Sequence, residues 1–128
     1  MRKPSEAPTR ASFVRSLARF SEILSTPKTV ANRDSAIKRF ELTYELAWKS
    51  IQERLKFKGL IARSPRDSLE QALSQGMIAD DPLWLRMLED RNASVHTYNE
   101  KLADEIYRRL KAYLRLFRLL GESLRKGQ

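Results

Sequence analysis

The chain has 128 residues, 41% of them hydrophobic, which is the size of one domain built around one core. It contains no cysteine, which excludes disulfide bonds and thiolate metal sites and favours a reducing compartment, so we expect a cytoplasmic protein. The 25 lysines and arginines outnumber the 16 aspartates and glutamates, which favours phosphate-bearing or acidic partners, and no apolar run reaches the length of a membrane span.

The first part of the chain predicts a short tail and then two helices. We expect residues 1–8 to form a flexible tail and the first helix to run from about Thr9 to Leu24, where the segment STPKT ends it. A second, long helix is expected from about Asn32 to Lys58, with Gly59 as its C-terminal stop. The apolar stripes contain Phe13, Leu17, Phe20 and Leu24 in the first helix, and Ile37, Phe40, Tyr44, Ala47, Trp48, Ile51 and Leu55 in the second.

The second helix also carries two leucines outside its apolar stripe. Leu42 and Leu46 lie on the far side, where a lone surface helix has no reason to carry them. They therefore predict a second contact, either with another helix of the bundle or with a partner chain.

Two shorter helices follow, and their first residues are of similar types. The third begins at SPRD, with Ser64 as the cap and Pro65 in the first turn, and it ends at Gly76. The fourth begins at DDPLW, with Asp81 as the cap and Pro82 in the first turn. Its apolar side is expected to contain Trp84, Leu85 and Leu88.

The last helix is predicted from about Asn99 to Leu120 and has two different faces. One face is apolar and contains Leu102, Ile106, Leu110, Tyr113, Phe117 and Leu120. At about 100° per residue, the cations cluster on the opposite side. We call these cations the basic ridge; they are Lys101, Arg108, Lys111, Arg115 and Arg118.

These elements predict an all-α protein, an antiparallel four/five-helix up-and-down bundle in which residues 1–128 form one domain. No alternating strand pattern, internal repeat or linker between domains competes with this interpretation. Because a bundle by itself implies no function, individual residues must indicate one.

Motifs for several chemistries are missing from the sequence. There is no phosphate-binding GxxxxGKS/T loop, no GxGxxG, no HExxH and no Cys/His cluster, and one histidine cannot form a histidine metal site, so we expect no metal and no cofactor. Glu41 and Glu45, four residues apart in the second helix, leave three interpretations open. They form a catalytic carboxylate pair, are solvated acids beside Lys38 and Lys49, or orient a buried arginine.

The only histidine lies in the polar segment EDRNASVHTYNE, between the fourth and fifth helices. In a continuous helix, Arg91 and His96 would lie about 140° apart, so a shared site requires a break. Asn92 and Ser94 tolerate cap and turn geometry, and Asn99 can cap the next helix, so these residues allow one. An imidazole and a guanidinium brought to one surface suit metal-free phosphodiester cleavage, in which His96 moves a proton and Arg91 stabilises the phosphate charge.

Four segments carry a resemblance to a known family. RDSAIKRFELTYELAWKSIQERLKFKG, SPRDSLEQAL, DPLWLRMLEDRN and SVHTYNEKLADEIYRRL resemble the nucleotidyltransferase substrate-binding protein family, a branch of the HEPN superfamily. The resemblance extends from the first helix to about Leu120, and the RxxxxHxY pattern is intact as Arg91, His96 and Tyr98. Members of the superfamily are helical bundles that commonly form homodimers, and many are metal-independent ribonucleases.

The resemblance implies roles for individual residues. Arg91 would bind phosphate, His96 would transfer the proton, and Tyr98 would be the hydroxyl that a neighbouring minimal nucleotidyltransferase adenylylates to silence a toxin. Asn92, which follows the arginine, would help to shape the turn. The chain has no nucleotidyltransferase signature of its own, neither a GS dipeptide nor a following DxD, so nucleotidyl transfer would come from another chain.

Three functions remain open from the sequence. The first is an RNase toxin of a two-gene module, controlled through Tyr98; the second is a non-catalytic subunit that presents a substrate to a nucleotidyltransferase. The third is a helical interaction module whose basic ridge is solvated surface. The expected partners are a minimal nucleotidyltransferase encoded nearby, RNA or a nucleotide-bearing substrate, and a second copy of the chain, but not a membrane.

Overall fold

A computed structural model describes residues 8–127, and within this range the chain forms five α-helices and no strand. The predicted all-α class is therefore confirmed. Pro8 is the first residue of α1, whereas the rest of the predicted tail lies outside the described residues. The helices are α1 (Pro8–Leu24), α2 (Val30–Phe57), α3 (Pro65–Ser74), α4 (Leu83–Ala93) and α5 (Glu100–Arg125).

Side-chain caps determine where three of the helices begin. The Ser64 hydroxyl accepts a hydrogen bond from the Asp67 backbone nitrogen at 3.1 Å, which confirms the predicted cap of α3. The Thr29 hydroxyl accepts one from Asn32 at 3.0 Å. Because Thr29 is the cap, α2 begins at Val30 and not at Asn32 as predicted.

The start of α4 differs from its prediction. Pro82, and not the predicted Asp81, occupies the cap position, and its side chain makes no capping hydrogen bond. Asp81, one residue before the cap, accepts a hydrogen bond from the backbone nitrogen of Leu83 at 2.9 Å. Leu85 was predicted on the apolar side, and this was wrong, since 45% of it is exposed. The buried residue of this turn is instead Met87, which is fully enclosed.

Glycine has different effects at different helix ends. Gly59 (φ +78°) and Gly76 (φ +72°) adopt the left-handed conformation that follows the last turns of α2 and α3, as predicted. By contrast, α5 does not end at Leu120 but continues to Arg125, because Gly121 remains helical. A Cβ at Gly121 would meet Leu17 and Phe13 of α1 at ordinary contact distances of 3.9 Å.

Pairs of contacts give the helix directions. Near its start α2 meets the start of α5, through Arg33 and Glu100, and near its end it meets the end of α5, through Arg54 and Leu124, so these two helices run parallel. Contacts between α4 and α2, such as Arg91 with Glu45, and between α4 and α5 follow the opposite order. α4 therefore runs antiparallel to both α2 and α5, as neighbouring helices do in an up-and-down bundle.

An aromatic cluster centred on Phe40 joins α1, α2 and α5. The Phe40 ring stacks on Tyr113 at a centroid distance of 5.4 Å and lies 6.3 Å from both Phe20 and Phe117. These side chains are fully buried, so each contributes the burial of a large apolar surface. The two leucines outside the apolar stripe of α2 differ in burial: Leu46 is partly buried against the core, whereas Leu42 remains 40% exposed.

A buried arginine of α2 joins this helix to α5 at the end of the bundle where both helices begin. Arg33 is 3% exposed and its guanidinium contacts Glu100 at 2.8 Å, Asp104 at 3.1 Å and Asp34 at 3.0 Å. The bond to Glu100 is the largest cause of the raised pKa of Arg33, and burial acts in the opposite direction. Since Glu100 is the first residue of α5, this network fixes the start of that helix.

None of the described helices is both long and apolar enough to cross a membrane.

Acid should selectively weaken the network around Arg33. Hydrogen bonds from Lys28 and then Arg33 lower the pKa of Asp104, so its carboxylate stabilises the fold above the unfolded pKa of about 3.9. This contribution is lost as the pH falls through the lower, folded value. We expect Asp104→Asn to destabilise the protein at pH 7 and to differ less from wild type near pH 3 in urea unfolding. The exposed Asp80→Asn is the control, and a difference that grows on acidification would contradict the assignment.

Candidate functional site

The polar segment that contains the only histidine forms the turn between α4 and α5. α4 ends at Ala93, a 3-10 turn covers Ser94–His96, and Asn99 caps α5 by accepting a hydrogen bond from Leu102 at 3.1 Å. The predicted break between Arg91 and His96 is therefore present, and so is the predicted Asn99 cap. Because the backbone departs from the α-helix here, the two side chains are not held 140° apart around one axis.

Arg91 lies in the last turn of α4, and its guanidinium is held by α2. Its Nη2 donates to Glu45 Oε1 at 3.1 Å, with 30% of the arginine side chain and 36% of the glutamate side chain exposed. The Nε atom is buried and has no hydrogen-bond acceptor among the described residues. The guanidinium is thus oriented by one carboxylate and keeps donors that this carboxylate does not use.

Glu41, which lies four residues before Glu45 on α2, contacts Ser94, the first residue after α4. The Ser94 hydroxyl lies 2.6 Å from Glu41 Oε2 and 2.7 Å from the backbone oxygen of Arg91, and it donates to these acceptors. Ser94 is almost completely buried. Of the three interpretations of the two glutamates, the geometry favours orientation, since one acid bonds to Arg91 and the other to the residue that follows α4.

His96 and Tyr98 lie on the exposed side of the same turn. The imidazole Nδ1 and the Tyr98 hydroxyl are 3.0 Å apart, and the two rings meet edge to face with centroids 5.7 Å apart. Tyr98 is 80% exposed, so most of its side chain is accessible to solvent. No hydrogen bond joins Arg91 to His96 within residues 8–127, and each has a different partner.

A neutral phenol lies close to the Arg91 and Glu45 pair. Burial, and then the charge of Glu45, raise the pKa of Tyr44, while the charge of Arg91 acts in the opposite direction. Tyr44 is 1% exposed and its hydroxyl has no hydrogen-bond partner in the described part of the chain. The side chain next to the Arg91 and Glu45 pair is therefore aromatic and uncharged.

The contacts of two residues in this region were not predicted from the sequence. Ser94 was considered only as a turn former, yet it bonds to Glu41. Asp90 was not considered, although it is 4% exposed and accepts hydrogen bonds from Arg109 and Tyr113. A signal for Asp90 exists, because it lies three residues after the buried Met87, on the face that packs inward.

All five cations of the basic ridge are exposed. Arg115 lies 3.6 Å from Asp81, and Arg118 donates to the Ser21 hydroxyl at 2.8 Å. The other three cations of the ridge make no ion pair with a described residue; they are Lys101, Arg108 and Lys111. Much of the ridge is therefore not neutralised by residues that the structure describes.

Asn92 is exposed within α4 and its role in shaping the turn stays a prediction. No group of three or more His, Asp or Glu side chains that could hold a metal ion occurs among residues 8–127.

Comparison with known proteins identifies similar sequences and structures. A protein-family model described as "Nucleotidyltransferase substrate binding protein like" matches residues 10–126. A Haemophilus influenzae protein named "Probable ribonuclease HepT" is 31% identical over an alignment of 96 residues that covers 71% of this chain and 66% of that protein. The chain thus spans about two thirds of the length of this curated relative.

Two solved structures have a similar fold. A Thermus thermophilus protein superposes with a TM-score of 0.84 at 38% identity, covering 88% of this chain and 98% of its own. A second structure, from Haemophilus influenzae, has a TM-score of 0.69 at 26% identity and covers 91% of this chain and 94% of its own. Its structure is described as revealing the fold of a substrate binding domain of a nucleotidyltransferase.

Replacing Glu45 tests whether it orients Arg91. Glu45→Gln keeps the size of the side chain but removes its charge, so we expect the free energy of unfolding to change by less than about 1 kcal/mol, as for other partly exposed ion pairs. The Arg91 guanidinium should become mobile, which is measured as loss of order in its Nε–H signal by NMR. Glu41→Gln is the matched control, since Glu41 contacts Ser94 and not the guanidinium. Equal order of Arg91 in both variants would contradict the orienting role.

Proposed function

Because the chain belongs to the nucleotidyltransferase substrate-binding protein family, of the HEPN type, and is a distant homologue of a protein named as a ribonuclease, we propose that it is a metal-independent endoribonuclease. Arg91 and His96 are its catalytic residues in this proposal. It is the cytoplasmic toxin of a two-gene module whose other member is a minimal nucleotidyltransferase. The observation that carries the proposal is a fixed guanidinium at the end of α4, followed across a break in the helix by an exposed imidazole.

The reaction that suits these groups is transfer within the RNA backbone. The ribose 2′-hydroxyl attacks the adjacent phosphorus, the bond to the 5′-oxygen breaks, and a 2′,3′-cyclic phosphate and a 5′-hydroxyl end result. One proton must leave the 2′-oxygen and one must reach the 5′-oxygen, while negative charge develops on the phosphate. Since Nδ1 of His96 faces Tyr98, its Nε2 is the nitrogen that moves a proton at the RNA, and Arg91 donates to the phosphate oxygens.

Two proton transfers and one histidine favour a site shared by two copies of the chain. In the proposed homodimer, the turns of both copies face one groove, and the second His96 serves as the second proton-transfer group. Two exposed apolar side chains support such a contact: Val95 of the turn itself, at 64% exposure, and Leu42 of α2, at 40% exposure. Sedimentation velocity at micromolar concentration measures this directly, and a monomer would count against it.

Tyr98 is the proposed control point. Its hydroxyl would attack the α-phosphate of ATP on the partner nucleotidyltransferase, which releases pyrophosphate and leaves AMP on the tyrosine. The exposure of Tyr98 and its bond to His96 support this role. The added phosphodiester would replace the hydroxyl that contacts His96 and place negative charge where the RNA phosphate binds.

The second candidate function is a non-catalytic subunit that presents a substrate to a nucleotidyltransferase. The description of the family and that of the Haemophilus influenzae structure favour it. The ion pair of Arg91 with Glu45 is also compatible with a ligand-binding site, because it partly neutralises the guanidinium.

The basic ridge is proposed to bind the phosphates of RNA beyond the cleaved bond. Arg108→Gln with Lys111→Gln should reduce the slope of log affinity against log salt by about 0.7 for each phosphate that is no longer bound, because fewer counterions are released. Lys56→Gln with Lys58→Gln removes the same charge from the end of α2 and serves as the control. Equal slopes for the two double variants would mean that the ridge is solvated surface and does not bind the phosphates of RNA.

Substitution of the three motif residues tests the main proposal. His96→Ala and Arg91→Ala should each reduce RNA cleavage in the presence of a chelator to a small residual rate and leave the helical fold intact, since neither side chain belongs to the apolar core. Their combination should lose little more than either alone, because residues that act as a unit are not additive. Labelled RNA and circular dichroism are the measurements.

Tyr98→Phe should separate control from cleavage. This variant should still cut RNA but should escape silencing by the partner nucleotidyltransferase and ATP. Tyr107→Phe, which removes a tyrosine hydroxyl from α5 and not from the turn, should be silenced like wild type. Full cleavage by His96→Ala would overturn the catalytic role of His96, and a wild-type protein that cuts no RNA would favour the substrate-binding subunit.

A further inference from the structure

A buried carboxylate immediately precedes Arg91 and connects α4 to α5. Asp90 Oδ2 accepts from Arg109 Nε at 2.7 Å, and Oδ1 accepts from Arg109 Nη2 at 2.9 Å. The Tyr113 hydroxyl also donates to Oδ2, at 2.5 Å. We call these three residues the Asp90 clamp. A bidentate pair of this kind fixes the direction of the carboxylate as well as its distance.

The surroundings of the clamp make its geometry rigid. Asp90 is 4% exposed, and Tyr113 is completely buried and stacked on Phe40. Arg109 is the more accessible member, with 26% of its side chain exposed. Burial and then the bond to Asp90 raise the pKa of Tyr113, so this phenol remains a donor throughout the neutral range.

Consecutive residues of α4 are thereby held by two different helices. Asp90 bonds to α5, whereas Arg91, about 100° further around the axis, bonds to Glu45 of α2. Ser94 adds a third bond, to Glu41 of α2. A rotation or shift of α4 that releases Asp90 must also displace the guanidinium of Arg91.

Stability alone does not account for a buried charge at this position. Replacing a buried ion pair by apolar residues of similar volume is often neutral or stabilising. The same helix also uses apolar contacts to reach its neighbours, such as Trp84 against Phe117 at 6.3 Å. What the ion pair supplies and an apolar contact does not is a fixed orientation of the last turn of α4.

We infer that Asp90, held by Arg109 and Tyr113, is a positioning residue that sets the guanidinium of Arg91 against the substrate phosphate. This inference rests on the proposed phosphodiester cleavage and adds to it three residues outside the RxxxxHxY pattern. Because a displacement of about 1 Å can cost on the order of 10²-fold in rate, weakening the clamp should lower kcat much more than it raises KM.

The principal variant is Tyr113→Phe, which removes one hydroxyl and keeps the ring in the core. Its matched control is Ser16→Ala, which removes one buried hydrogen bond between α1 and α2, 2.8 Å long, and does not involve α4. The second variant is Asp90→Asn, which keeps the shape of the side chain and removes its charge. All are measured well below their thermal midpoints, with kcat and KM for RNA cleavage determined for each.

Non-additivity with Arg91 separates positioning from a structural role. We expect Tyr113→Phe to reduce kcat by about tenfold or more in the wild-type background, and to have no further effect on the residual rate of Arg91→Ala. Asp90→Asn should behave in the same way with a larger loss, and Ser16→Ala should leave kcat unchanged. Equal kcat values for Tyr113→Phe and Ser16→Ala would overturn the inference, as would a full additional loss in the Arg91→Ala background.

A second readout does not depend on cleavage. The buried Nε–H of Arg91 should exchange with water faster in Tyr113→Phe and Asp90→Asn than in wild type or Ser16→Ala, as measured by NMR. If wild type cuts no RNA, the proposed nuclease fails, and this exchange still decides whether the clamp positions Arg91. Unchanged exchange in both clamp variants would overturn the inference.

Discussion

The stacked contact between Phe40 of α2 and Tyr113 of α5 is the packing interaction on which the candidate site depends. The two rings lie 5.4 Å apart within a fully buried cluster, so they fix the separation of the two helices that carry the site's supports. From Tyr113 a hydroxyl reaches Asp90 of α4. One residue after Phe40 on α2, Glu41 reaches Ser94, and Glu45 reaches Arg91 one turn later.

Acidic side chains near the site pair mostly with cations or hydroxyls of the same chain. Asp90 pairs with Arg109, Glu45 with Arg91, and Asp104 with Lys28 and Arg33. In a chain with a net charge of +9, these internal pairs leave positive charge on the outer face of α5. The basic ridge begins at Lys101, five residues after His96, so its first cation follows the turn closely in the sequence.

Both candidate functions make use of the same geometry. A nuclease and a substrate-binding subunit each need a guanidinium held in place and an accessible group beside it, and family membership alone does not separate them. The difference lies in whether His96 moves a proton or only contacts a ligand. The partial neutralisation of Arg91 by Glu45 bears on both, because it lowers the attraction for phosphate while fixing the direction of the donors.

The sequence by itself determined the helices and the order of the motif residues. Apolar spacing identified the buried faces of α1, α2 and α5, because a helix repeats every 3.6 residues, and caps such as Ser64 and Asn99 were readable from side-chain chemistry. The residues Arg91, His96 and Tyr98 were recognised from their spacing and from the resemblance to a family.

Only the tertiary structure decided which partners these residues have. The pairing of Arg91 with Glu45, 46 positions away, depends on how α4 lies on α2, and local periodicity contains no information about that. For the same reason Asp90 was missed, since an aspartate on a helix is interpreted as a solvated acid until Arg109 and Tyr113 are placed against it. Leu85 was misplaced because α4 is short and packs on its neighbours over a narrow face, so its exposed fraction was determined by those helices and not by its own hydrophobicity.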